Sequence, residues 1–138
     1  MKRSDSAFAL ILFLASFGLY IRTLAPSLLF GDSAEFQTIT YTLGIGHPTG
    51  YPIYVLLAKL FTLLPIGEIA YRVNLFSAFC AALTVGMVYL MIRRLGAANA
   101  AAIYGSLVLA SMPLFWKYAS IAEVYLPKVT VDSVVNLR

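Results

Sequence analysis

The chain has 138 residues, of which 61% are hydrophobic and 12% are charged, and its mean hydropathy is +0.86. Soluble domains average about 45–50% apolar and about 25% charged residues, so this composition indicates an integral membrane protein. The net charge of +4 is small, and the basic residues are scattered or paired at the ends of apolar runs. A nucleic-acid-binding protein needs a basic stripe on one face, so nucleic acid is excluded as a partner.

Three apolar stretches approach the roughly 20 residues that a transmembrane helix needs, namely 7–24, 73–92 and 97–116. The first could instead be a signal peptide, because Lys2 and Arg3 precede a short apolar run. Arg22 and Pro26 stand where the small residues of a cleavage site would be expected, and this favours a retained span.

Small residues recur four positions apart in the second and third stretches, for example Ala82 and Gly86. Such ladders let helix backbones approach closely in lipid, so we expect these two helices to pack tightly. The single cysteine, Cys80, lies inside the second stretch, where we interpret it as a small packing residue.

The basic residues at the ends of the spans predict the orientation. Lys2, Arg3, Arg93 and Arg94 would share one side of the membrane, and a high local density of Lys and Arg marks the cytoplasmic side. The other basic residues, among them Arg22, Lys59, Arg72 and Lys117, would lie outside, so the bias is in local density rather than in total count. This orientation places segment 25–71 outside, together with the residues after the third span. We expect an integral membrane protein of a bacterial inner membrane, with its N-terminus in the cytoplasm and its functional site on the outer face.

The outer segment has its own helical pattern. Residues 33–43 predict a short amphipathic helix, and the glycines and prolines of 44–52 end it. Residues 53–64 are apolar but too few to span, so they should lie in the interface or re-enter partway. The predicted fold class is therefore all-α, with three transmembrane helices plus an outer-face amphipathic and re-entrant helical loop.

The acidic pair Asp32 and Glu35 is the first candidate for a functional site. Ionisable groups at a membrane are costly and tend to mark function. The spacing also fits a capping box, in which Asp32 would be the N-cap of a helix starting at Ser33 and Glu35 its third helical residue. The two interpretations are compatible, because a carboxylate held at a helix N-terminus is also well positioned.

Four further residues join the candidates with alternatives open. His47 precedes a proline in a turn, where a histidine is usually solvated, while Lys59 and Arg72 could be interface anchors. Glu123 lies just beyond the third span and should return to the same outer surface as Asp32. The sequence has no phosphate-binding loop, dinucleotide fingerprint or paired-cysteine signature, so it predicts no metal site.

Several short motifs between residues 23 and 125 together resemble the start of a family of multi-span, protein O-mannosyltransferase-like membrane proteins, which is similar to the GT-C class of glycosyltransferases. The motifs are Gly31-Asp-Ser-Ala-Glu-Phe36, Tyr41-Thr-Leu-Gly44, His47-Pro-Thr-Gly-Tyr-Pro52, Leu57-Ala-Lys-Leu60, Ala70-Tyr-Arg-Val-Asn-Leu75 and Ala122-Glu-Val-Tyr125. Each motif alone is weak, whereas the combination is specific.

The resemblance implies a polyprenyl-phosphate sugar, mannose-like by analogy, as donor and a protein or glycan hydroxyl as acceptor. It implies no other certain cofactor and leaves a divalent metal open. Such enzymes keep a catalytic acidic residue in the first outer loop, and this position matches Asp32, with Glu35 beside it. We expect Asp32 to act as general base.

The resemblance also suggests roles for the remaining candidates. Arg72, and less directly Lys59 or His47, would contact the donor phosphate, which needs cationic stabilisation as it leaves. Glu123, like Glu35, would position the acceptor or the site helix. Tyr51 would belong to the substrate-binding residues.

The resemblance ends after residue 125, so we divide the chain into a GT-C-like part, 1–125, and a divergent tail, 126–138. Family members are several times longer, and we expect this chain to be a truncated or frameshifted N-terminal piece. Two other functions stay open, a transporter fragment for lipid-linked precursors and a small three-span interaction or scaffold protein.

Overall fold

The computed structural model describes residues 3–28, 30–47 and 51–137, and within these ranges every regular element is an α-helix, which confirms the predicted all-α class. The helices, in chain order, are α1 (Arg3–Arg22), α2 (Asp32–Thr42), α3 (Pro52–Thr62), α4 (Ile69–Arg94), α5 (Asn99–Ser111), α6 (Pro113–Ala119) and α7 (Tyr125–Asn136).

Helix α4 is the centre of the bundle, and all six other helices pack against it. Helix α1 runs antiparallel to α4, because Asp5 at its start pairs with Arg93 near the end of α4, at 3.1 Å. At the other end of α1, the Tyr20 hydroxyl donates a hydrogen bond to the Ala110 carbonyl of α5, at 3.0 Å. We call the end of the bundle where α1 finishes and α4 begins the site end.

The predicted third span is not one straight helix. Two helices, α1 from Ser4 and α4, are long and apolar enough to cross a membrane, whereas α5 and α6 meet at an angle of 67°. The bend follows from Pro113, whose ring pushes the preceding residue into extended backbone, and Met112 indeed has φ −61° and ψ 127°. The chain therefore has up to three crossings, the third only if the bent pair counts as one span.

The two outer-segment helices lie close to their predicted positions. Helix α2 begins one residue before the predicted start, and α3 is an apolar helix of 11 residues, too short to span. Both pack on the site end of α4 through one aromatic cluster. The centre of the Tyr54 ring lies 5.2 Å from that of Phe36 and 5.5 Å from that of Phe76. This packing fixes the direction in which α2 presents its first turn.

Most of the tail after residue 125 forms α7, which packs along α4. The Thr130 hydroxyl lies 2.9 Å from the Cys80 carbonyl and 2.8 Å from the Thr84 hydroxyl, near the middle of α4. Because Glu123 lies beside Ser77, closer to the site end, α7 runs parallel to α4 from the site end toward the middle of α4. Lys128 and Asp132 of α7 are thus exposed beside a helix that is long and apolar enough to cross a membrane.

The close approach of α1 to α4 depends on Gly86, as the small-residue ladder predicts. A Cβ atom at Gly86 would lie 3.0 Å from the backbone oxygen of Ala9, whereas one at Gly18 of α1 would meet nothing within 4 Å. We expect Gly86→Val to lower the free energy of unfolding in detergent by about 1–3 kcal/mol beyond the effect of Gly18→Val, because the backbones must separate. Equal losses in both variants would contradict this packing.

Candidate functional site

Asp32 and Glu123, which are 91 positions apart in sequence, face one cleft at the site end. The cleft has a volume of about 510 Å³ and is lined by Phe30, Gly31, Asp32, Ser33, Lys117, Ile121 and Glu123. Asp32 is exposed in the first turn of α2, and Glu123 lies in the segment between α6 and α7. Packing of α2 and α6 on the same end of α4 therefore brings the two carboxylates together, as the sequence analysis expected.

The two carboxylates differ in their surroundings. Partial burial raises the pKa of Glu123 above its ordinary value, and the negative charge of Asp32 raises it further, while Lys117 acts in the opposite direction. Two neighbouring carboxyl groups with unequal environments can divide the roles of proton donor and proton acceptor. The cleft thus holds two acids and one ammonium group within reach of the same small ligand.

The capping-box interpretation is wrong. Asp32 is the first helical residue, the N-cap is Gly31, and no side chain caps the helix. Gly31 has φ +75°, a left-handed conformation that glycine adopts without steric cost. The Asp32 carboxylate is thereby left at the cleft, and the Glu35 carboxylate turns to a different partner.

Glu35 holds the loop that follows α2. One carboxylate oxygen accepts a hydrogen bond from the backbone N–H of His47 at 2.7 Å, and the other lies 2.8 Å from its Nδ1. The His47 ring also contacts the rings of Phe36 and Tyr51. Gly46 leaves room for this contact, because a Cβ at that position would lie 2.9 Å from the Ile39 side chain and 3.2 Å from the Glu35 carboxylate. We call the contact between Glu35 and His47 the latch.

The latch should open in acid. The backbone N–H of His47, and then its imidazole, lower the pKa of Glu35. A carboxyl group whose pKa is lower in the folded state than in the unfolded state stabilises the fold at pH values above the unfolded-state pKa, about 4.3. This stabilisation is lost as the pH falls through the lowered pKa of the folded state. We expect the His47 amide to be protected from hydrogen exchange near neutral pH and unprotected in acid, and Glu35→Ala to remove protection throughout. A pH-independent protection factor would contradict the latch.

Arg72 and Lys59 are engaged in holding helix ends. The Arg72 guanidinium donates hydrogen bonds to the carbonyls of Thr62, Ile66 and Gly67, at 2.7–2.9 Å, and so closes the turn between α3 and α4. Lys59 donates to the Tyr41 carbonyl at the end of α2 and lies 4.9 Å from the centre of the Tyr41 ring. A cation is favourable at a helix C-terminus. Neither side chain lines the cleft that contains Asp32.

Lys117 is the functional candidate that the sequence analysis missed. It follows Trp116 in α6 and lines the cleft with Asp32 and Glu123. Its spacing of six residues from Glu123 is the one signal in the sequence that could have indicated a shared surface. The bend before Pro113 turns α6 across the site end and brings Lys117 to the cleft.

No group of three or more His, Cys, Asp or Glu side chains in the described ranges could hold a metal ion. The orientation across the membrane and the bacterial inner membrane stay predictions, because the fold is the same whichever side the site end faces.

The apolar helices and the acidic cleft at one end of the bundle define an integral membrane protein with a candidate site at the membrane surface. The chain belongs to the family described as "Protein O-mannosyl-transferase TMEM260 N-terminal domain", which matches residues 32–136. The match therefore covers α2 through α7, including most of the tail after residue 125.

Two relatives carry the same description. The chain is 39% identical over 104 residues to "Protein O-mannosyl-transferase TMEM260" of Mus musculus, which covers 75% of the chain and 15% of that protein. It is 24% identical over 128 residues to the protein of that name from Dictyostelium discoideum, which covers 91% of the chain and 16% of the relative. The chain thus spans about a sixth of these relatives' length. No solved structure matches it.

Proposed function

We propose that this chain is the N-terminal part of a membrane glycosyltransferase of GT-C type, which moves a mannose-like sugar from a polyprenyl-phosphate donor to an acceptor hydroxyl. Family membership and the names of both relatives support a mannosyltransferase. The observation that carries the site assignment is the exposed Asp32 carboxylate, which shares one cleft with Glu123 and Lys117.

Asp32 acts as the general base. A hydroxyl is a poor nucleophile until a base takes its proton in the transition state. The acceptor oxygen forms a bond to the anomeric carbon of the sugar, the bond from that carbon to the phosphate oxygen breaks, and the hydroxyl proton passes to Asp32. The lipid phosphate leaves with the bonding electron pair.

Lys117 replaces Arg72 and Lys59 as the contact for the donor phosphate. The leaving phosphate gains negative charge, and a positioned cation stabilises that charge in the transition state. Lys117 lines the cleft, while Arg72 and Lys59 are hydrogen-bonded to backbone carbonyls elsewhere. The N-terminus of α2 adds a favourable dipole at the same place.

Glu123 positions the acceptor. Its carboxyl group lines the cleft beside Asp32 and can accept a hydrogen bond from a sugar or acceptor hydroxyl. Glu35 and His47 act indirectly, by holding the loop that follows α2 against that helix. The ring of Tyr51 supports the latch through its contact with the His47 ring. The acceptor is a protein or glycan.

We place the site end on the outer face and the N-terminus in the cytoplasm, following the basic residues Arg93 and Arg94 at the opposite end. A polyprenyl-phosphate sugar keeps its lipid in the bilayer, and the site end lies where the apolar helices α1 and α4 reach the membrane surface. The lipid-linked donor can therefore approach the cleft from the membrane side.

A transporter of lipid-linked precursors is the second candidate, and one observation favours it. Lys128 and Asp132 are exposed on α7, which packs along the candidate span α4, and charges within a membrane often line transport pathways. The carboxylates of the cleft lie at the surface, where transfer chemistry needs them, so the glycosyltransferase remains the better supported function.

A donor-dependent transfer assay on the complete gene product in membrane vesicles tests the proposal. We expect the labelled sugar of a polyprenyl-phosphate donor to become covalently attached to an added protein or glycan acceptor. Movement of the donor across the membrane without covalent transfer would favour the transporter and overturn the enzyme proposal.

A further inference from the structure

We propose that Asn74 is a positioning residue, whose buried amide sets the distance between the two arms of the cleft, one carrying Asp32 and the other Glu123. The inference rests on the proposed role of Asp32. Asn74 belongs to α4, and its two hydrogen bonds go to Gln37 and Ala25 rather than to either carboxylate. It therefore acts through the segments that these bonds hold in place.

The Asn74 amide joins α2 to the segment that leads into it. Its Oδ1 accepts a hydrogen bond from Gln37 Nε2 at 2.9 Å, and its Nδ2 donates one to the Ala25 carbonyl at 2.9 Å. Asn74 is 0% exposed and Gln37 2%. Buried polar groups without partners are costly, so these two bonds specify one arrangement of the three segments. We call this set of three residues the Asn74 bridge.

The bridge continues to the second arm. The backbone N–H of Ala25 donates a hydrogen bond to the Ser120 carbonyl at 3.0 Å, and the Thr23 and Ser120 hydroxyls lie 3.4 Å apart. Ser120 stands between Lys117 and Glu123, both of which line the cleft. The backbone of Ala25 thus connects Asn74 with the segment that carries Glu123.

The geometry explains why an amide is needed at this position. One side chain must accept a hydrogen bond from α2 and donate another to a backbone carbonyl, and the amide of Asn74 does so with two separate atoms, Oδ1 and Nδ2. A carboxylate would retain the acceptor and lose the donor. Helix α4 is the most central element of the bundle, so Asn74 ties both arms of the cleft to the helix against which all the others pack.

The first test measures geometry and needs no enzymatic activity. Phe30 and Ile121 line the cleft on opposite arms, so cysteines at both positions, in a Cys80→Ser background, report the width of the cleft through a short bifunctional maleimide. We expect Asn74→Ala to reduce the yield of intramolecular cross-link several-fold in membranes. The control is Thr84→Val, which removes a buried hydroxyl from the same helix near α7 and should leave the yield unchanged.

The second test uses transfer by the complete gene product. Misplacement of a reacting group by about 1 Å can cost about 100-fold in rate, so we expect Asn74→Asp to lower kcat about 100-fold at alkaline pH and to change KM much less. Burial raises the pKa of the introduced carboxyl. Once protonated at lower pH, that carboxyl can donate to the Ala25 carbonyl, and kcat should recover toward the wild-type profile in the same protein sample.

The outcomes separate this inference from the proposed function. An absence of transfer in the wild type, together with a reduced cross-link in Asn74→Ala, would remove the enzyme proposal and leave the bridge intact. A cross-link yield equal to that of wild type in Asn74→Ala would overturn the bridge. A loss of kcat in Asn74→Asp with no recovery at lower pH would also overturn it.

Discussion

Asp32→Asn should abolish sugar transfer while leaving the protein folded in the membrane. The amide keeps the size of the side chain but cannot take the acceptor proton, and the loss of a general base typically costs about 10²–10⁴-fold in rate. Asp32 makes no capping hydrogen bond in α2, so the substitution should not affect the start of the helix. The measurement is kcat in the donor-dependent transfer assay, with the amount of folded protein determined for each variant.

Glu68→Gln is the matched control for Asp32→Asn. Glu68 is exposed at the same end of the bundle and lines a separate cleft of about 600 Å³ with Pro26, Ser27 and Tyr71. The Glu68→Gln substitution removes one negative charge, as Asp32→Asn does, but outside the Asp32 cleft. The kcat of the Glu68→Gln variant should therefore stay close to that of the wild type. If Asp32→Asn turned over as fast as Glu68→Gln, Asp32 would not be the base.

Lys117→Gln should weaken use of the donor more than the same change at Lys59. A hydrogen bond to a charged group contributes about 1.5–3 kcal/mol, which corresponds to about a 10- to 100-fold loss in kcat/KM for the donor. Lys59→Gln removes the cation at the C-terminus of α2 and its contact with Tyr41, so it should lower the free energy of unfolding instead.

The comparison of these two lysines decides which cation serves the donor phosphate. Kinetic constants measured at varied donor concentration, together with unfolding in detergent, separate the two effects. Arg72→Gln should behave like Lys59→Gln, because all three guanidinium nitrogens hold backbone carbonyls. A donor defect confined to Arg72→Gln, with Lys117→Gln unaffected, would restore the assignment that the sequence analysis made.

The sequence predicted the helices well because apolar periodicity and chain length are local properties. The short helices at 33–43 and 53–64 and the span at 73–92 lie close to α2, α3 and α4. The third span is bent in the structure because Pro113 places Met112 in extended backbone, and a proline in the sequence, which can also begin a helix, does not give the angle. The helical conformation of residues 126–136 was missed because two of the three residues buried against the bundle, Thr130 and Ser133, are polar. The face that packs on α4 therefore gives no apolar pattern in the sequence.

The candidate site was predicted in part. The expectation that Asp32 and Glu123 meet rested on both lying just outside apolar spans, and the structure places them in one cleft. The spacing of Asp32 and Glu35 also fits a capping box, and sequence alone could not show that Glu35 bonds to His47 instead. Lys117 was not among the candidates, and Asn74 was noted only within the Ala70–Leu75 motif, because their roles depend on contacts with residues far away in the chain.

The sequence by itself determined that this is a helical membrane protein of the O-mannosyltransferase-like family, with an acidic segment at the end of its first span. Composition and apolar run length are sufficient for the first conclusion, because the bilayer admits few backbone arrangements. Only the tertiary structure decided which charged groups share the cleft. Arg72, Lys59 and Lys117 are chemically similar in the sequence, and their roles differ because backbone carbonyls at two helix ends engage the first two.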